Sequence, residues 1–142
     1  MPYELVFDEA NRLVFARVFG SDSVEDQLER MRKCVEDPRW QPGYRVLADL
    51  RGVTSASHQY EHLERITGFH SKHMPAIGPT RVAAVAKDDL VYGIRRMMDS
   101  YSEGHTELIS NVFKSWTEAL QWLNLPSTCE PPEPDSLEKK NP

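Results

Sequence analysis

Four of the chain's five histidines, His58, His62, His70 and His73, fall inside the single stretch SASHQYEHLERITGFHSKHM, residues 55 to 74. Imidazole is the commonest metal ligand and titrates near neutral pH, so such a cluster raises a metal site or a proton switch. His58 to His62 even spells H-x-x-E-H, the inverted zinc-protease signature, with Glu61 as the candidate base. On a helix, His58 and His62 share a face at i,i+4, and His70 and His73 at i,i+3. His62 and His70 are eight residues apart, about 12 Å along a helix axis, which is too far for one tetrahedral zinc. The four therefore make two half-sites. His58 and His62 are the metal-ligating alternative; they would need a further carboxylate or histidine, for which His105 is one candidate. The plainer account places Leu63, Ile66, His70 and Met74 on a core stripe, with His58, His62, Phe69 and His73 on its shoulder. On that account no metal, no cofactor and no catalytic residue is expected.

A second candidate is the segment Arg51-Gly52-Val53-Thr54-Ser55-Ala56-Ser57, expected as a loop between a strand and a helix N-terminus. Open α/β sheets bind ligands at the carboxyl ends of their strands. Free N–H groups, the helix dipole and Arg51 there favour an anion, whereas in the plainer account Ser55 or Ser57 caps the helix. Asp88 and Asp89 read as a helix cap with first-turn charge, since adjacent helical residues point about 100° apart and make a poor acid/base couple. Trp40, Trp116 and Trp122 read as packing residues, Arg95-Arg96 as a solvated pair, and Cys34 as a thiol without a base.

These residues must be held by an ordinary globular frame. A chain of 142 residues with 39% hydrophobic and 27% charged residues suits one domain with one core. The net charge of −5 lacks the basic footprint of a nucleic-acid binder. No run approaches the roughly 20 apolar residues of a membrane span, and Met1-Pro2-Tyr3-Glu4 lacks the basic start of a signal peptide. Cys34 and Cys129 are expected as reduced thiols in a cytoplasm. Residues 1–125 are expected as the domain, and residues 126–142 as a disordered, proline-rich, charged tail.

Within the domain, Tyr3–Phe7 and Leu13–Phe19 read as a hairpin around Asp8-Glu9-Ala10-Asn11. Ser23-x-x-Asp26 opens a helix whose apolar repeat is Val24, Leu28, Met31 and Val35, closed by Asp37-Pro38. Tyr44–Leu50, Arg81–Ala86 and Glu107–Val112 read as strands. The histidine helix follows the first of them and ends around Met74-Pro75 and Gly78-Pro79. A helix with core side Leu90, Ile94, Met97 and Tyr101 follows the second. The third leads through the capping box Ser115-x-x-Glu118 into a helix carrying Trp116, Ala119, Leu120 and Leu123. Strands alternating with helices imply a mostly parallel five-stranded sheet behind a leading hairpin.

Side-chain parity separates the two sheet faces. Even positions such as Val14, Ala16, Val46, Ala48, Val82, Ala84 and Val112 are apolar, as a helix-covered face requires. Odd positions place Arg17, Arg45, Asp49, Arg81, Glu107 and Asn111 around an apolar centre of Phe15, Leu47, Ala83, Val85 and Ile109. That second face reads as half covered, which makes Phe15, Leu47, Val85 and Ile109 a candidate interface, for a homodimer among others.

The element order, with Val46-Leu47-Ala48-Asp49-Leu50-Arg51-Gly52-Val53-Thr54 and the closing Ala119-Leu120-Gln121-Trp122-Leu123, resembles the STAS domain of bacterial anti-sigma-factor antagonists. The likeness extends over roughly residues 3 to 123 and is nearest to an uncharacterised, SpoIIAA-like branch with a "DLRG-V" turn and an "AL-WL" helix. It implies an α/β fold, a right-handed superhelix of strand–helix units with the helices mainly on one face of the sheet. In the antagonists a serine beyond this turn is phosphorylated and decides partner choice. Asp49, Leu50, Gly52 and Val53 match the turn, but Ser57-His58-Gln59-Tyr60 stands where D-S-S-G would fall. The modified position would be His58 or Gln59, with Ser55 and Ser57 beside it as candidates for phosphorylation.

The expected function is a non-enzymatic cytoplasmic regulatory or scaffolding module that acts on an unknown protein partner through Arg51, Gly52, Thr54, Ser55 and Ser57. A protein binding an anion, a nucleotide or an apolar molecule between helices and sheet is the alternative, and a cavity under the histidine helix would favour it. A histidine-dependent metal enzyme comes third.

Overall fold

The computed structural model describes residues 3–56, 60–103 and 108–131. The chain runs β1 (Tyr3–Asp8), β2 (Leu13–Asp22), α1 (Val24–Glu36), β3 (Arg45–Ala56), α2 (Tyr60–Ile77), β4 (Arg81–Val85), α3 (Asp89–Ser102), β5 (Ile109–Phe113) and α4 (Trp116–Trp122). The strands form one sheet in sequential order. β1 pairs antiparallel with β2, and every later pair is parallel. The architecture is the α/β arrangement expected from the alternation of strands and helices.

Local chemistry sets the element ends. The Asp8 carboxylate accepts from the Asn11 backbone N–H at 3.2 Å and its amide at 2.8 Å, which tightens the hairpin turn. Ser23 accepts from the Asp26 N–H at 3.1 Å, Asp88 from Leu90 and Val91 at 2.9 and 3.1 Å, and Ser115 from Glu118 at 3.3 Å. Each oxygen satisfies amides that a helix start leaves without intrahelical partners. Asp88 is thus the cap of α3, while Asp89 pairs with Lys114. The histidine helix runs on past Pro75 to Ile77 and stops at Gly78, whose φ of +71° favours glycine. A Cβ on Gly78 would also lie 2.6 Å from that of Pro42.

The parity reading identifies the two faces. Ala16, Val18, Ala48, Leu50, Ala84, Ala86 and Val112 form one cluster with Val91 of α3. Val24, Leu63, Ile66, Ile94 and Met98 join α1, α2 and α3 above that face. Leu13, Phe15, Leu47, Ala83 and Val85 form the cluster on the other face, closed by Ala119, Leu120 and Leu123 of α4. Among the described residues, three helices therefore cover one face and a single short helix crosses the other.

Three expectations change. α3 buries Val91, Ile94 and Met98, while Leu90 is 68% exposed and Met97 43% exposed. Both apolar stripes share Ile94 and Tyr101, so the sequence pattern could not choose between two faces one residue apart. The odd face is also covered more fully than expected: Phe15, Leu47 and Val85 are 3% exposed or less, and only Ile109 stays open, at 53%. Leu125 and Cys129 add to this cluster, so the Cys129 thiol lies against the core although its surroundings in sequence are polar. Finally, Arg51–Ala56 is not a loop but the second half of β3, paired with the long β2 through Gly52↔Phe19 and Ser55↔Ser21.

Candidate functional site

Two concave regions lie on opposite faces of the sheet. The first is a cavity of about 110 Å³ between the even face and α1, α2 and α3. The sheet contributes Ala16, Val46, Ala48 and Val82, and the helices contribute Met31, Ile66, Phe69 and Met98. Alanine at the sheet's centre leaves the space, because its side chain stops at Cβ.

Polar groups enter this apolar cavity from α1, α2, α3 and β5. Arg30 of α1 forms a two-point ion pair with Asp22 at 2.9 and 3.3 Å, with both side chains less than 10% exposed. Gln27 donates to the Asp22 carbonyl at 3.2 Å. From α3, Arg95 donates to Asp99 Oδ1 at 3.4 Å, and Ser110 of β5 donates to the same oxygen at 2.7 Å. Asp99 Oδ2 is buried without a hydrogen-bond partner, and so is His70 Nδ1 of α2. Burial, with the nearby charges of Arg95 and His73, lowers the His70 pKa to about 4, so the ring is neutral at physiological pH. Cys34 also lines the cavity, and burial, with Asp37, pushes its thiol up to about 12, which leaves it without thiolate character.

The second region is an open groove on the odd face, lined by Glu4, Val6, Phe15, Arg17, Leu47, Asp49, Arg51, Trp116, Glu130 and Pro131. Arg51 donates to both Asp49 oxygens at 2.9 Å and lies 4.9 Å over the Trp116 ring. Burial pushes the Asp49 carboxyl up, but the hydrogen bonds and charge of Arg51 outweigh it and hold it below its usual value. Arg17 pairs with Glu4 at 3.3 Å, and Trp116 stacks on Phe15.

The sequence candidates fall as follows. Arg51, Gly52, Thr54 and Ser55 are exposed along the end of β3. Their neighbour Phe19, opposite Gly52, is 43% exposed. The Arg51 charge is taken up by Asp49, so it is not a free cation for an anion. Ser57, His58 and His105 lie outside the described residues. His62 is half-buried with Nδ1 unpartnered, and His73 bonds the Phe69 carbonyl at 2.9 Å while stacking on its ring at 4.0 Å. His62, His70 and His73 thus have different hydrogen-bond surroundings. Among the described residues no three His, Cys, Asp or Glu side chains gather as metal ligands. No described helix is long and apolar enough to cross a membrane.

Sequence reasoning missed Arg30 and misread Arg95. Arg95 was expected to be solvated together with Arg96, but its side chain is 16% exposed and turns inward to Asp99. The i,i+4 spacing of Arg95 and Asp99 was a readable signal. Nothing in the sequence marked Arg30 or its partner Asp22.

No protein-family model matches the sequence, and no curated protein matches it. Among solved structures, the chain is similar to an uncharacterized protein of the DUF3478 family with a SpoIIAA-like fold from Shewanella loihica PV-4. The two share 17% identity over 85% of this chain and 91% of that one, with a TM-score of 0.54. It is also similar, at 12% identity and a TM-score of 0.45, to the anti-sigma factor antagonist SpoIIAA in its unphosphorylated form, covering 86% of this chain and 97% of that one. The fold is therefore that of a STAS-like domain, and within that class this chain has the SpoIIAA-like form.

Proposed function

We propose that the chain is a non-enzymatic, cytoplasmic regulatory module that works by contact with a partner protein. The observation carrying this reading is the exposed strip Arg51, Gly52, Thr54 and Ser55 with the uncovered Phe19 ring beside it. It offers a large apolar side chain, a hydroxyl and the odd-face groove with its paired charges and aromatic floor at Trp116. Apolar centres rimmed by satisfied polar groups are characteristic of protein contacts. Ser55 is exposed and thus open to a kinase, and a phosphate there would add nearly two negative charges to the strip.

The test is site-specific photo-crosslinking in the native host, with the crosslinker at Thr54 and, as a control, at exposed Lys72 of α2. A discrete protein adduct from Thr54 alone, lost in Phe19→Asp, is expected. Adducts of equal yield from both positions, or none from Thr54, would overturn the reading. An adduct consisting of a second copy of the chain would make the partner a homodimer.

A second reading, a small-ligand binder, is favoured by the cavity beneath α2. Native mass spectrometry of untagged protein from its own cells tests it: a bound small organic mass is expected, and a bare chain counts against it.

A further inference from the structure

Two residues that line the cavity each carry a buried, unpartnered polar atom, and these narrow what it would accept, an inference that rests on the ligand-binding reading. Asp99 Oδ2 and His70 Nδ1 are both buried without partners, and both residues line the same space. An unsatisfied buried polar atom is costly, and a structure usually answers it with water or a ligand. The carboxylate oxygen can only accept a hydrogen bond. The neutral imidazole nitrogen donates or accepts according to its tautomer. A hydroxyl group serves both, since it donates one hydrogen bond and accepts others.

Charge narrows the class further. Each guanidinium at the cavity already has its carboxylate, Arg30 with Asp22 and Arg95 with Asp99. Among the described lining residues no unpaired positive charge is left for an anion. An ammonium group would be desolvated beside two arginines. The rest of the lining is mostly apolar, with Leu5, Val46, Ile66, Phe69, Val82 and Met98 among it, and calls for an apolar body. Size follows from the volume: about 110 Å³ is of the order of the engineered cavity of about 150 Å³ that takes benzene.

We propose that this cavity binds a small, neutral, mainly apolar molecule carrying a hydroxyl group, of the phenol or short-chain alcohol class, with the hydroxyl held by Asp99 and His70. Nothing about the exposed strip on β3 is required for this.

The experiment is calorimetric titration of the full chain with phenol, toluene and benzoate, three molecules alike in ring and different in polar group. Phenol is expected to bind about tenfold or more tightly than toluene, and benzoate not to bind. In His70→Phe the preference for phenol should shrink several-fold. In Ala48→Leu, which fills the cavity from the sheet side, both neutral probes should lose binding. Toluene binding as tightly as phenol would overturn the hydroxyl class while leaving the cavity a ligand site. Benzoate binding most tightly would overturn neutrality. No saturation by any probe at millimolar concentration would overturn the cavity as a ligand site altogether. A phenol preference unchanged in His70→Phe would remove His70 from recognition, and binding that survives Ala48→Leu would place the site elsewhere.

Discussion

The two faces of this sheet solve the same packing problem differently. On the even face three helices bridge over Ala16 and Ala48, and the small side chains leave a cavity whose lining residues His70 and Asp99 each keep a buried unsatisfied atom. On the odd face one short helix packs Leu120 and Leu123 onto Phe15, Leu47 and Val85, which are buried, and the open space is a surface groove beside them at Trp116. The polar groups that remain open on that side, Arg17 with Glu4 and Arg51 with Asp49, are already paired. Covering a face with more helices does not fill it. Side-chain volume at the sheet centre decides that.

The largest way to break this comparison lies on the odd face. Leu120→Ala should cost about 2–5 kcal/mol, because the residue is fully buried and α4 is the main cover on that side. Urea denaturation measures it, and a loss below 1 kcal/mol would mean that α4 is dispensable. For the same reason Phe15→Glu should unfold the chain rather than change its oligomeric state, as circular dichroism would show.

Next in size is the pH response of the even face. The folded pKa of His70 lies below its unfolded value, so the native state binds fewer protons between about 4 and 6.5. Stability from this group is fully present above pH 6.5 and is lost as pH falls toward 4, by at most about 3 kcal/mol. Denaturation across that window should show a shallower slope in His70→Phe. An identical slope in both proteins would mean that the ring is not buried in solution.

A pair of substitutions sharpens the contrast directly. Ala83→Leu, on the filled face, should cost about 1–3 kcal/mol through overpacking. Ala48→Leu, facing the cavity, should change stability by less than about 1 kcal/mol. Equal losses would mean that both faces are equally full. The smallest effect is expected at Arg51→Ala, whose ion pair with Asp49 is half exposed: about 0–1 kcal/mol in thermal denaturation. A larger loss would make the Arg51–Trp116 stack part of the core.

Much of the fold could be read from periodicity. The hairpin follows from Asp8 and Asn11, the three caps from Ser23, Asp88 and Ser115, and the two sheet faces from alternation in Val14–Val18 and Val46–Leu50. The alternation slips where β3 gains a residue between Asp49 and Gly52, so that Leu50 and Val53 both face the helices. The expected loop at Arg51–Ala56 failed for that reason: a bulge lets the strand continue where the pattern appears to end. The stripe on α3 failed because Leu90 and Val91 are both apolar, and only docking against the sheet selects one.

Less of the candidate sites was legible. The histidine cluster stood out in sequence, yet α2 gives its described members different surroundings: a carbonyl partner for His73, an unpartnered buried nitrogen for His62, and the cavity wall for His70. The sequence by itself determined the element types, their order and the apolar faces, because periodicity and capping are properties of neighbours along the chain. Only the tertiary structure brought Asp99, Ser110 and His70 to one cavity and paired Arg30 with Asp22. Those contacts join separate elements, and their distances are set by helix packing across the sheet, which no local spacing encodes.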